Sequence, residues 1–172
     1  QGCVGMPVPL RLDVRPTVRA LLDQLEPGIA LVTNRLGDVL AYTSGFELLV
    51  RPTGLLDEPR PNLTRFVFTD DRARSVFPEW EQLADERAYD LWLASAEQAK
   101  LLVVELAAVA GAAFTERVDG HEVPRGGPQR WRHPAAGELR FAREVLQLPA
   151  TDAQELVVLL PADEATEDAL IR

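Results

Sequence analysis

Strand signals occupy the two ends of this chain, and helical periodicity fills the middle. Ile29 to Thr33 is a short apolar run, Asn34 to Asp38 supplies turn residues, and Val39 to Tyr42 resumes the strand pattern. Near the other end, Pro128 to His133, Glu138 to Leu148 and Glu155 to Leu160 read as three further strands. Hairpin connections at both ends predict an antiparallel sheet with the intervening helices packed mainly on one face, an α+β fold. The continuous apolar run in Glu155 to Leu160 suits a central strand.

The helical signals are equally local. Pro16 suits a first helical turn, Val18, Leu21, Leu22 and Leu25 share one face, and Pro27-Gly28 stops the helix. Ser44-Gly45-Phe46-Glu47 has the spacing of a capping box. Asn62 suits the N-cap of a short helix, and Asp70 or Asp71 that of the next. Glu79 to Gln98 predicts one helix with an acidic outer face. Leu101 to Val118 predicts another, apolar almost all round and therefore heavily buried. Within Glu138 to Leu148, Leu139 and Phe141 share a parity that Arg143 breaks, and Leu146 and Leu148 lie on the other; a bulge near Arg143-Glu144 would reconcile them. Pro134 to Gly137 is a turn, and Thr166 to Arg172 a terminal helix.

Composition enters as a set of exclusions. The chain has 172 residues, 47% of them hydrophobic and 26% charged, enough for one domain with its own core. Its net charge is −9, which disfavours phosphate backbones and anionic membranes. Lys100 is the only lysine among 18 basic residues, a signature of GC-rich coding. One cysteine, Cys3, offers no internal disulfide. Neither a signal peptide nor a membrane span is legible, and a cytoplasmic location is expected. Residues 1–13, with Pro7 and Pro9, read as a linker or arm, and residues 14–172 as the domain.

The catalytic signals are sparse. His121 and His133 are the only histidines, and neither lies in a nucleophile motif. No metal-ligand cluster and no phosphate-binding loop is present, since Gly126-Gly127 lacks the lysine and the following helix. No catalytic residue, metal or cofactor is therefore assigned. The aromatic side chains offer core or cavity wall. Phe66, Trp80, Trp92, Phe114, Trp131 and Phe141 are spread along helices and strands, and Arg130 or Arg132 would suit a ligand carboxylate.

Longer motifs carry a resemblance. Asn34-Arg35-Leu36-Gly37-Asp38-Val39-Leu40-Ala41-Tyr42 resembles the hairpin of the MmyB-like ligand-binding domain of actinobacterial XRE-type helix-turn-helix transcription regulators. The likeness continues through Asn62-Leu63-Thr64-Arg65-Phe66, Phe77-Pro78-Glu79-Trp80-Glu81 and Arg130-Trp131-Arg132-His133-Pro134 with Gly137-Glu138-Leu139. It covers about Val14 to Leu170. Thr43 stands where the family usually has asparagine, and Arg117 and Val118 stand near where it has paired tryptophans. The resemblance implies a PAS-like five-stranded sheet, a small hydrophobic or fatty-acid-like effector, a homodimer, and DNA contact through a helix-turn-helix domain N-terminal to residue 1. The pocket it implies between sheet and helices would take its walls from Phe66, Trp80, Leu91, Trp92, Phe114, Trp131 and Phe141, with Arg130 or Arg132 to pair a ligand carboxylate. The alternatives are a ligand-free dimerisation module that sets the spacing of DNA-binding heads, and a hydrolase using His121 or His133.

Overall fold

The computed structural model describes residues 10–95, 97–121, 123 and 127–171. The expected arm before Leu10 and the Gly126 end of the glycine pair lie outside them. Helix α1 (Pro16–Leu25) leads into strands β1 (Ile29–Thr33) and β2 (Val39–Tyr42). Helix α2 (Ser44–Val50), a 3-10 turn (Arg51–Thr53), α3 (Leu63–Thr69), α4 (Asp71–Val76), α5 (Trp80–Leu93), α6 (Glu97–Ala110) and α7 (Ala112–Gly120) follow. Strands β3 (Gln129–His133), β4 (Gly137–Gln147) and β5 (Glu155–Pro161) and helix α8 (Glu164–Ile171) close the order.

The strands form one antiparallel sheet in the order β2-β1-β5-β4-β3. The apolar β5 is central, between β1 and β4, as its sequence predicts. On the inner face, Ile29, Leu31, Trp131, Leu139, Phe141 and Leu159 meet Phe46, Phe66, Phe77, Trp80, Leu83, Leu91, Leu106 and Phe114 from the helices. The outer face is covered at one end by α1 and the residue before it, where Val18 and Leu22 of the helix and Val14 ahead of it pack on Ala30, Val32, Ala41 and Leu156.

That second layer explains β4 and corrects one expectation. The β4–β5 register runs unbroken from Phe141↔Pro161 to Gln147↔Glu155, so no bulge lies at Arg143-Glu144. Arg143 stays on the inner parity because Glu86 of α5 receives its guanidinium at 2.7 Å. Leu148 belongs to the opposite parity because it packs against the α1 cluster. The register shift in the sheet lies instead at Val32/Thr33, between β1 and β2.

The long helices are also corrected. Glu79 to Gln98 stops at Leu93, and Leu101 to Val118 breaks at Gly111, whose φ of 57° is left-handed and ends α6. Helix α6 buries one stripe, Ala99, Leu102 and Leu106. Leu101, Val104 and Val109 remain 67%, 69% and 65% exposed, so this helix is not buried all round.

Asn62 and Asp70 cap α3 and α4 as their positions predict, accepting from Arg65 N at 2.8 Å and Arg72 N at 2.9 Å. The capping box at Ser44 does not form. Thr43 is the N-cap of α2, and its buried Oγ1 accepts from Phe46 N at 3.2 Å and Ala30 N at 3.0 Å while donating to Gly28 O at 2.7 Å. One hydroxyl thus ties the start of α2 to β1. Ser44 is drawn away to Glu26, whose carboxyl these hydrogen bonds hold below its ordinary range. Glu47 pairs with Arg51 one turn on.

Candidate functional site

The inner sheet face and the helices above it do not close completely. A chamber of about 60 Å³ lies between β1, β5 and β4 below and α2, α5 and the α2–α3 loop above. Leu31, Phe46, Leu55, Phe77, Leu83, Trp131, Val157 and Leu159 make its apolar walls. Its other end is ionic, with Glu86 and Arg87 of α5, Arg143 of β4 and Glu155 of β5.

Arg87 sits on the buried stripe of α5 with Leu83, Ala84, Ala88 and Leu91. Only 6% of it is exposed, a rare condition for a charge without compensation. Its Nη2 reaches Asp90 Oδ2 at 2.5 Å and lies 3.8 Å from Glu86 Oε1. Its Nε is buried with no hydrogen-bond partner. Burial pushes the Asp90 carboxyl above its ordinary value, while the Arg87 charge works in the other direction. Burial also raises Glu155, aided by Asp90 and opposed by Arg87. The chamber is therefore an apolar pocket with a compensated but incompletely hydrogen-bonded ionic end.

A larger groove of about 640 Å³ opens beside it. The Leu25–Gly28 turn, α2, α8 and the end of β5 enclose it, with Leu48, Leu49, Leu160, Ala169 and Ile171 among its walls. Leu159 lines both spaces and is 4% exposed, so it stands as the partition between them.

The sequence-predicted pocket residues divide. Trp131 lines the chamber, and Phe141 supports it edge-on at 5.9 Å. Phe66, Trp80, Leu91 and Phe114 are buried in the same core above, where Trp80 and Phe114 both pack edge-on against Phe68 at 5.9 and 5.1 Å. Trp92 lies on the surface, 45% exposed and stacked on His121 at 4.1 Å. Arg130 is exposed and paired with Glu79 at 2.5 Å, and Arg132 is exposed on the same outer parity. Arg87 and Arg143 are the cations among the residues that line the chamber. Both left a trace in the sequence: an arginine on the apolar stripe of α5, and the residue that interrupts the apolar parity of β4.

The histidines are structural in their contacts. His133 Nδ1 accepts from Ala135 N and Ala136 N at 3.1 and 2.9 Å, which leaves Nε2 to donate to Leu49 O at 2.7 Å. His121 ends α7 with a left-handed φ of 50°. Among the described residues no group of three or more His, Cys, Asp or Glu could hold a metal ion, and no helix is long and apolar enough to cross a membrane.

The family model for the MmyB-like transcription regulator ligand binding domain matches residues 14–172. No curated protein matches the chain.

Proposed function

The chain belongs to the MmyB-like transcription regulator ligand binding domain family, and we propose from that premise that it senses a small amphipathic, fatty-acid-like effector between sheet and helices. The observation that carries the reading is the interior chamber, apolar along β1 and β5 and ionic at Arg87. A ligand-binding regulator domain points to binding and release rather than to catalysis, in keeping with a His133 whose two ring nitrogens are both engaged by backbone. In the family reading DNA contact falls to a helix-turn-helix domain outside these residues, and a net charge of −9, which repels a phosphate backbone, fits that division. The setting for such a regulator is the cytoplasm.

The chamber of about 60 Å³ is below the roughly 300–1,000 Å³ that ligand pockets occupy, so the effector selects a wider conformer. Differential affinity for the wide and narrow forms is then what transmits the signal. Denaturing extraction with mass spectrometry, beside native mass spectrometry, tests this. The expected result is one amphipathic molecule per chain, or a thermal shift when medium-chain fatty acids are added. A chain without extractable ligand and without any such shift overturns it.

The second reading, a dimerisation module without a ligand, is favoured by one observation. The apolar side chains of Leu101, Val104 and Val109 stand exposed along α6. A homodimer is expected in either reading, because helix-turn-helix regulators read two-fold operators. A compact dimer that persists at low micromolar concentration, carries no ligand and is broken by Val104→Glu supports the second reading over the first.

A further inference from the structure

We propose that the uncovered half of the outer sheet face docks a second copy of this chain, β4 on β4, about a two-fold axis that crosses the strands at Ala142 and Leu160. The inference rests on the homodimer expected above and adds its face and register; it needs no ligand.

Helix α1 covers the outer face only over Ala30, Val32, Ala41 and Leu156. Farther along β5, Leu160 is 52% exposed, and its ladder partner Ala142 of β4 is exposed beside it. Leu146, on the same face of β4, is 46% exposed. The solvent face of an antiparallel sheet is ordinarily polar, so an apolar row across two strands is a surface that association would cover.

The charges beside that row identify the partner. On one side, Arg130 and Arg140 stand directly opposite each other in the β3–β4 ladder, a like-charge pair that costs stability unless relieved. Arg132 is exposed on the same parity, opposite Glu138. Glu138 lies 3.4 Å from Arg140 and 3.7 Å from Arg130; from other elements, Glu79 holds Arg130 and Asp163 lies 3.9 Å from Arg140. The strands themselves thus present Arg130, Arg132 and Arg140 against Glu138 alone. On the other side of the row stands Glu144, exposed, with apolar Val158 as its ladder neighbour. Arg140, Ala142 and Glu144 are alternate residues of one strand, each roughly 7 Å from the next. A half-turn about the Ala142–Leu160 row therefore lays Glu144 of each copy over the Arg130–Arg140 pair of the other and packs the apolar row on itself, the isologous contact of a closed dimer. A half-turn about the strand direction sets arginine on arginine instead.

The same rotation keeps the helices apart. Ala30 is level with Val158 and Val32 with Leu156, all on the Glu144 side of the axis, so the second copy brings its α1 to the Arg140 side. Val14, ahead of α1, packs on this face too, and the dimer thereby fixes the separation of the two segments that lead into α1.

Sedimentation velocity of the purified chain and its variants over a concentration series is the test. The wild-type chain is expected to dimerise at micromolar concentration, and Leu160→Glu to leave a monomer. Arg140→Glu and Glu144→Arg each set like charges together twice in the interface and weaken the dimer about tenfold or more. The two substitutions combined restore it, because the exchanged charges meet again. Val104→Glu, on α6, leaves it intact. A dimer that survives Leu160→Glu, or a charge exchange that does not restore association, overturns the inference while the homodimer expectation stands. A monomer at every concentration overturns both. Should Leu160→Glu not fold, as judged by circular dichroism, or should Val104→Glu also dissociate the dimer, restoration by the charge exchange decides the question.

Discussion

Asn34 and Asn62 hold the two oxygens of a single carboxylate. Asn34 Nδ2 donates to Asp38 Oδ2 at 3.0 Å, and Asn62 Nδ2 donates to Asp38 Oδ1 at 2.9 Å. Asn34 Oδ1 accepts from the amides of Leu36 and Asp38, so the β1–β2 turn is closed by its own first and last residues. Asn62 adds a bond to Leu36 O at 2.9 Å and caps α3. The hairpin and α3 are thereby one polar unit.

Removing Asn62 breaks that unit at three points. Asn62→Ala is expected to lower stability by about 2–4 kcal/mol, the sum of a lost N-cap and two partly buried hydrogen bonds. Asn62→Asp keeps the cap acceptor but loses both donations and sets a second carboxylate against Asp38. It is expected to be at least as destabilising near neutral pH and to recover on acidification. Urea denaturation of both variants checks this, and an Asn62→Asp chain as stable as wild type contradicts it.

Gly37 answers to the same turn. Its φ is 86°, and a Cβ there would lie 2.3 Å from Thr64 Oγ1 and 2.8 Å from Thr64 N. Its carbonyl also accepts from Leu63 N at 2.7 Å, so the turn cannot move away freely. Gly37→Ala is expected to lower stability by about 3 kcal/mol or more, from left-handed strain plus a clash with backbone. A melting temperature within a few degrees of wild type would show that the turn and α3 separate easily.

Glu155 supplies a pH prediction. Burial holds its carboxyl above the ordinary value, with Asp90 and Glu86 adding to the shift and Arg87 and Arg35 opposing it. A group whose folded pKa is raised contributes stability below its unfolded pKa, and that contribution is lost as pH rises through the folded pKa. Glu155→Gln is therefore expected to raise the melting temperature by about 2–4 °C near pH 7, with the gain disappearing below about pH 4.5. Glu105 and Asp70, lowered by hydrogen bonds from Arg65 and Arg72, act with the opposite sign and are present in both chains. Melting curves taken from acid to neutral pH read the difference directly.

Trp80 joins three elements over the core. Its Nε1 donates to Val67 O at 2.8 Å, and the Arg74 guanidinium lies 3.6 Å from the ring centre. Arg117 of α7 approaches the ring at 5.0 Å. Trp80→Phe keeps much of the apolar contact and removes the indole donor. A loss of about 1–3 kcal/mol is expected, most of it from the Val67 carbonyl left buried. The shift of the urea midpoint at unchanged slope measures it.

The fold was largely legible because its signals are local. Turn residues bracket β1 and β2, the apolar run of β5 announces a central strand, and Asn62 and Asp70 announce their helices. What was not legible depends on contacts between distant residues. The choice of Thr43 over Ser44 as a cap follows from Ala30 and Gly28, which offer the buried hydroxyl its other partners. The parity of Arg143 follows from Glu86 on a different element. The candidate site was half legible. Trp131 could be named from its strand, but Arg87 among apolar neighbours looks like a solvated helix residue until the sheet beneath it is known. Trp92 is surface because α5 turns it toward His121, a relation no spacing in the sequence encodes.

The central strand is also the last one made. Ile29 pairs with Leu159, far along the chain, and until that partner arrives the β1–β2 hairpin presents an open edge. Long loops must close before that pairing rewards them, so the sheet assembles late and slowly compared with the helices. A helix needs only neighbours along the chain, whereas the floor beneath it needs both ends of the chain. Unpaired edges and uncovered apolar faces are where partly folded chains associate wrongly, so the β1 edge is the one that most needs its partner.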